Sequence, residues 1–128
     1  MKTIICLITV ILLMSVNSRA QSLNCKHFRD GTFTSTFEGN TDSIKRVGAD
    51  QYEYFNGSKV ADHYLVKWVD DCTYTLTPFP DVFEKNQNLP RNIIFTVKIT
   101  KTTKNSYTQT TSNNISDYLV TCEIVKTK

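Results

Sequence analysis

The chain has 128 residues, 15 Lys and Arg against 12 Asp and Glu, a net charge of +3 and four cysteines. That length holds one domain and excludes a multi-domain machine. A charged fraction of 21% and an aromatic fraction of 11% exclude a disordered charged tail.

The first element in chain order is a targeting signal. Met1-Lys2 gives a basic start, residues 4–14 form an apolar run, and Ser18-Arg19-Ala20 places small residues at −3 and −1 before Gln21. The run is shorter than the ~20 residues a spanning helix needs, so residues 1–20 read as a cleavable signal peptide rather than a core helix or an N-terminal anchor. A lipid anchor at Cys25 is disfavoured by the Ser22-Leu23-Asn24 that precedes it. Cleavage after Ala20 removes Lys2, Arg19 and Cys6, leaving 108 residues, thirteen basic and twelve acidic side chains, and Cys25, Cys72 and Cys122. The mature net charge of +1 weakens the case for an anionic partner. The expectation is an exported protein, periplasmic or extracellular, with no membrane span in its mature chain.

Residues 21–128 read as a single domain of β-strands, because Val, Ile, Tyr and Phe recur at period two among many threonines. Phe33 and Phe37 share a face of residues 32–38. In residues 60–69, Tyr64, Val66 and Trp68 share one face and His63 lies on the other. Cys72, Tyr74 and Leu76 alternate with threonines, Phe95, Val97 and Ile99 with polar residues, and Tyr118, Val120, Cys122 and Ile124 make the last apolar row. Asn56-Gly57 between residues 51–55 and 58–64 predicts a tight hairpin, since both residues tolerate positive φ. Asp70-Asp71 and Asn113-Asn114 predict further turns. Residues 78–92 hold all three prolines, and predict a crossover loop with one helical turn and Phe83 packed down, or else a lid. The fold expected is an all-β antiparallel up-and-down meander of seven to eight strands, closed into a small lipocalin-like barrel or curled into a half-barrel. A Greek-key sandwich is the competitor.

Export favours a disulfide. In a meander, odd and even strands run in opposite directions, which puts all three mature cysteines at one end. Cys25–Cys72 then tethers the N-terminal segment to a strand, with Cys122 as a buried free thiol; Cys25–Cys122 is the alternative.

Motifs for chemistry are missing from the sequence. There is no Gly-x-Ser-x-Gly, His-Glu-x-x-His or phosphate-binding glycine loop, and no Cys-x-x-Cys pair supports a metal. Adjacent Asp70 and Asp71 suit a solvated turn. Lys98, Lys101 and Lys104 read as edge decoration rather than a nucleic-acid surface. The expectation is a non-enzymatic protein without cofactor or metal. The credible specific activity is binding of a small apolar ligand, with Phe33, Phe37, Tyr64, Trp68, Tyr74, Phe95, Val97 and Tyr118 as candidate lining, or of a cell-envelope partner. The alternative is a structural domain whose aromatics fill the interior.

Cys25-Lys26-His27-Phe28-Arg29-Asp30-Gly31-Thr32-Phe33 and Trp68-Val69-Asp70-Asp71-Cys72-Thr73-Tyr74-Thr75-Leu76 resemble a group of short exported bacterial proteins of unknown function. That group opens on Cys-x-x-Phe-x-x-Gly-x-Phe and later carries Trp-x-x-Asp-Cys-x-Tyr-x-Leu. Phe95-Thr96-Val97-Lys98-Ile99 and Asn105-Ser106-Tyr107-Thr108 fit it too. The resemblance implies a lipocalin-like barrel and supports the Cys25–Cys72 pairing; Cys122 is outside the pattern. Some members carry an inherited DNA topoisomerase IV label, but a 108-residue domain has no room for an ATPase site and a DNA gate.

Overall fold

The computed structural model describes residues 22–128; the expected signal peptide lies outside the described residues. Eight antiparallel strands follow one another around a closed barrel. They are β1 (Gly31–Phe37), β2 (Asn40–Val47), β3 (Asp50–Tyr54), β4 (Asp62–Trp68), β5 (Thr73–Pro78), β6 (Phe95–Thr102), β7 (Ser106–Asn113) and β8 (Leu119–Lys126). One helix, α1 (Pro80–Lys85), interrupts the series, and a 3₁₀ turn, Cys25–Phe28, precedes it. The barrel is closed rather than a half-barrel, because β8 returns to β1 through Phe33↔Lys126, Thr34↔Val125 and Ser35↔Ile124. Thr32 extends this seam by bonding the backbone of Thr127 and Lys128.

Period-two alternation decides which side chains go in. Tyr64 and Val66 from β4, Tyr74 and Leu76 from β5, Val97 and Ile99 from β6, and Ile124 from β8 are buried. The exposed phase carries Lys45, Lys67, Lys98 and Glu123 together with many threonines. Burying the apolar row while leaving the polar row wet is what holds an antiparallel sheet closed on itself in water.

The turns alternate between two ends. At one end, Glu38-Gly39 joins β1 to β2 with both residues at positive φ, 49° and 80°, as a two-residue type I′ hairpin requires. The β3–β4 connection emerges beside it. The expected tight hairpin at Asn56-Gly57 is replaced by a longer link: Phe55–Gly57 forms a 3₁₀ turn and β4 begins only at Asp62. Asn56 and Gly57 do take positive φ, and the Asn56 amide donates to Asp42 Oδ1 at 2.8 Å. That bond holds the turn over the end of β2 instead of letting the strands zip together. The 78–92 connection is packed down, with Val82 and Phe83 buried, but it is no crossover, because it joins the neighbouring strands β5 and β6.

The opposite end is plugged by the N-terminal segment. Cys25 and Phe28 are buried there, and Cys25 is bonded to Cys72, closing a separation of 47 residues. In the chain-entropy account, a loop that long contributes about 4 kcal/mol.

Candidate functional site

The interior is divided into two halves of different chemistry. At the plugged end, the guanidinium of Arg46 is wholly buried on the inward row of β2. Nε donates to Gln51 Oε1 at 2.7 Å and Nη1 to the Phe28 carbonyl at 2.7 Å. Nη2 donates to the hydroxyls of Tyr74 at 2.9 Å and Tyr107 at 3.1 Å. The planar fork also lies over the rings of Phe33 and Tyr74, at 5.0 and 4.7 Å from their centroids. All four of these acceptors are neutral. A buried charge is tolerated only when its donors are satisfied, and here four residues converge to do that.

Above this cluster lies a cavity of about 290 Å³ that opens toward the β1–β2 turn end. Gln51, Tyr74 and Gln109 form its floor. Ile44, Leu76, Val97 and Ile124 supply the apolar wall, and Phe37, Phe55, Phe95 and Tyr118 ring the mouth. Phe37, Phe55 and Tyr118 are about half exposed there. A second hollow adjoins it, sharing Phe55, Tyr64 and Phe95 and bounded by Val82, Lys85 and Leu89 of the 78–92 connection. The connection therefore forms one side of the entrance.

The wall is not apolar throughout. Glu53 faces the cavity with one hydrogen bond to its carboxyl, from Gln51 Nε2 at 2.7 Å. Burial pushes the Glu53 carboxyl up to about 7. The Gln51 amide and the Arg46 charge pull it down, while Asp62 and Asp42 push it further up. The Gln51 side chain thus stands between cation and carboxyl, accepting from one and donating to the other. Asp62, directly across from Glu53 on β4, is instead held by Lys85 Nζ at 3.0 Å.

Five of the aromatic candidates, Phe37, Tyr64, Tyr74, Phe95 and Tyr118, line the cavity together with Val97. Phe33 and Trp68 do not. Phe33 is sealed beside Tyr107 below the floor, and Trp68 lies near the plugged end against Tyr74, with the Arg29 guanidinium 4.6 Å from its ring. Both share a face with cavity residues but occupy the wrong level of the barrel, which period two cannot resolve. Cys122 is a free thiol, as expected, but it is half-buried and faces the cavity from mid-strand, opposite Gln109. It does not sit at the end that holds Cys25 and Cys72. Burial raises the pKa of its thiol.

His63 lies on the outer face, as its phase requires, stacked between Tyr52 and Phe79 at 4.5 and 3.9 Å with Nε2 at 2.7 Å from Asp50. The polar wall residues Asp42, Gln51, Glu53 and Gln109 gave no signal in the sequence, because each reads as the wet phase of a strand.

Comparison with protein families, curated proteins and solved structures finds no match to the chain.

Proposed function

We propose that the protein is a non-enzymatic carrier or sensor that binds one small, largely apolar molecule inside its barrel. The observation behind this reading is the cavity. A barrel with a filled core would carry apolar packing to both ends, whereas this one is packed only up to the level of Tyr74 and leaves about 290 Å³ open above. That volume lies at the lower edge of the range for small-molecule sites. It suits a compact ring or short chain rather than a full lipid. The rigid aromatics at the mouth offer contact area at little entropic cost.

We also propose that the protein works outside the cytoplasm. The Cys25–Cys72 disulfide supports this, since such bonds persist in oxidising compartments. Among the described residues, no helix is long and apolar enough to cross a membrane. The polar outer row of the strands is also the reverse of the lipid-facing band of a membrane barrel.

Titration with the lipophilic fluorophore N-phenyl-1-naphthylamine tests the reading. Saturable enhancement at one probe per chain is expected. Val120 lines the cavity, and Val120→Trp, which fills it, should abolish the signal while leaving the urea midpoint near that of the parent. Enhancement that neither saturates nor responds to Val120→Trp would contradict an interior site.

A further inference from the structure

We infer that the cavity selects a small organic amine, its ammonium group seated against Glu53 and its apolar body held by the aromatic mouth. The inference rests on the ligand-binding reading above and names the chemical class of the ligand.

The charge distribution along three adjacent strands carries it. Glu53 on β3 stands directly opposite Asp62 on β4 and opposite Ile44 on β2. Asp42, two residues before Ile44, faces the same interior and is Glu53's diagonal neighbour. Three carboxyls thus point into the upper barrel from neighbouring positions. Only Asp62 has a cation, and Lys85 also serves Asp81 and the Ala61 carbonyl. Among the described residues, no lysine or arginine lines the main cavity. Arg46 is the nearest positive group to its floor, but its donors are occupied by Gln51, Phe28, Tyr74 and Tyr107, and the Gln51 amide intervenes. Glu53 lines the cavity and accepts a single hydrogen bond among the described residues, on Oε1, which leaves its second oxygen without one.

A ligand for such a site must bring donors and positive charge. An anion would meet Asp42 and Glu53, and a wholly apolar molecule would leave the second oxygen of Glu53 unpaired beside apolar surface, which is costly. An ammonium satisfies the open oxygen with a charge-assisted hydrogen bond. The rings of Phe37, Phe55, Tyr64 and Tyr118 border the same space, and aromatic rings attract cations.

Protonation follows from the same geometry. The groups facing Glu53 are Asp42 and Arg46 from β2, Asp62 and Tyr64 from β4, Tyr74 from β5 and Cys122 from β8. In the unliganded cavity the Glu53 carboxyl is pushed up to about 7, so it is largely neutral in mild acid. An arriving ammonium stabilises the carboxylate, and below pH 7 its binding releases the Glu53 proton to solvent.

Calorimetry with 2-phenylethylamine and its neutral counterpart 2-phenylethanol, from pH 5.5 to 8, tests this on the unmodified protein. At pH 8 the amine should bind at least ~10-fold more tightly than the alcohol. Its affinity should fall roughly 30-fold by pH 5.5, while that of the alcohol stays nearly level. Glu53→Gln should bring the two compounds to the same affinity and flatten the amine profile. If the alcohol matches the amine at every pH, the amine inference is overturned and the cavity stands. If neither compound nor N-phenyl-1-naphthylamine binds, the ligand-binding reading is overturned and the inference goes with it.

Discussion

Two inward-facing charged residues, Arg46 and Glu53, set the character of the interior, and neither is visible from hydropathy. Arg46 sits where an alternating pattern asks for an apolar residue, and its Tyr74 and Tyr107 partners are 28 and 61 residues away. Only the closed barrel brings them together. Arg46→Met keeps much of the volume but leaves the Gln51 and Phe28 oxygens unpaired. We expect it to lower unfolding free energy by about 3 kcal/mol or more, read from urea midpoints. Glu53 makes the opposite contribution. Its carboxyl titrates at about 7 in the folded protein against 4.5 ordinarily. As pH rises from 4.5 to 7, the unfolded chain releases this proton while the folded chain keeps it, so stability falls across that window and then levels. The size is about 3 kcal/mol. Glu53→Gln should remove that slope and leave the protein more stable than its parent at pH 8; an unchanged slope would place the titrating group elsewhere.

At the scale of strands and turns, what was legible followed the contrast between the two faces. β4, β5, β6 and β8 alternate apolar with Thr, Lys or Glu, and their phases were readable directly. β2 escaped because its inward row is Asp42, Ile44 and Arg46, so two of three buried-side positions are charged. With β2 unseen, the Glu38-Gly39 hairpin was unseen as well, and Asn56-Gly57 took the role of the tight turn. These turns also rank in their tolerance of change. Gly39 has open space around it, so Gly39→Ala meets only the cost of a left-handed alanine, about 1 kcal/mol. At Gly31, φ is 140° and an added Cβ would lie 2.5 Å from the Lys128 carbonyl oxygen. Gly31→Ala should therefore cost more than Gly39→Ala in a paired urea titration, since it forces the β1–β8 seam apart. The Cys25–Cys72 bond acts on the same end of the barrel. Its reduction should lower stability by about 4 kcal/mol, and alkylation of the unreduced native protein should, among the described residues, modify Cys122 alone.

For the whole molecule, one sequence pattern supplies both a closed barrel and an unfilled upper half. The meander was legible because consecutive strands with short links leave few other topologies, but its closure was not, since a barrel and a half-barrel read alike until β8 pairs with β1. The division of the interior was not, because it depends on where the Cys25–Phe28 plug and the Arg46 cluster stop. Aromatic rings that look equivalent along the chain fall on either side of that level, Phe33 below and Phe37 above. The mouth stays open because Phe37, Phe55 and Tyr118 stand around its rim instead of meeting across it. Cys122 turns this arrangement into a position marker, since its half-buried thiol lines the cavity and among the described residues is the one cysteine outside the disulfide. The rate of Cys122 alkylation by iodoacetamide, followed at pH 9 against increasing N-phenyl-1-naphthylamine, therefore reports occupancy of the barrel itself. The rate should fall along a saturation curve whose midpoint equals that of the fluorescence titration. A rate that holds constant while the probe fluoresces would place the ligand outside the barrel.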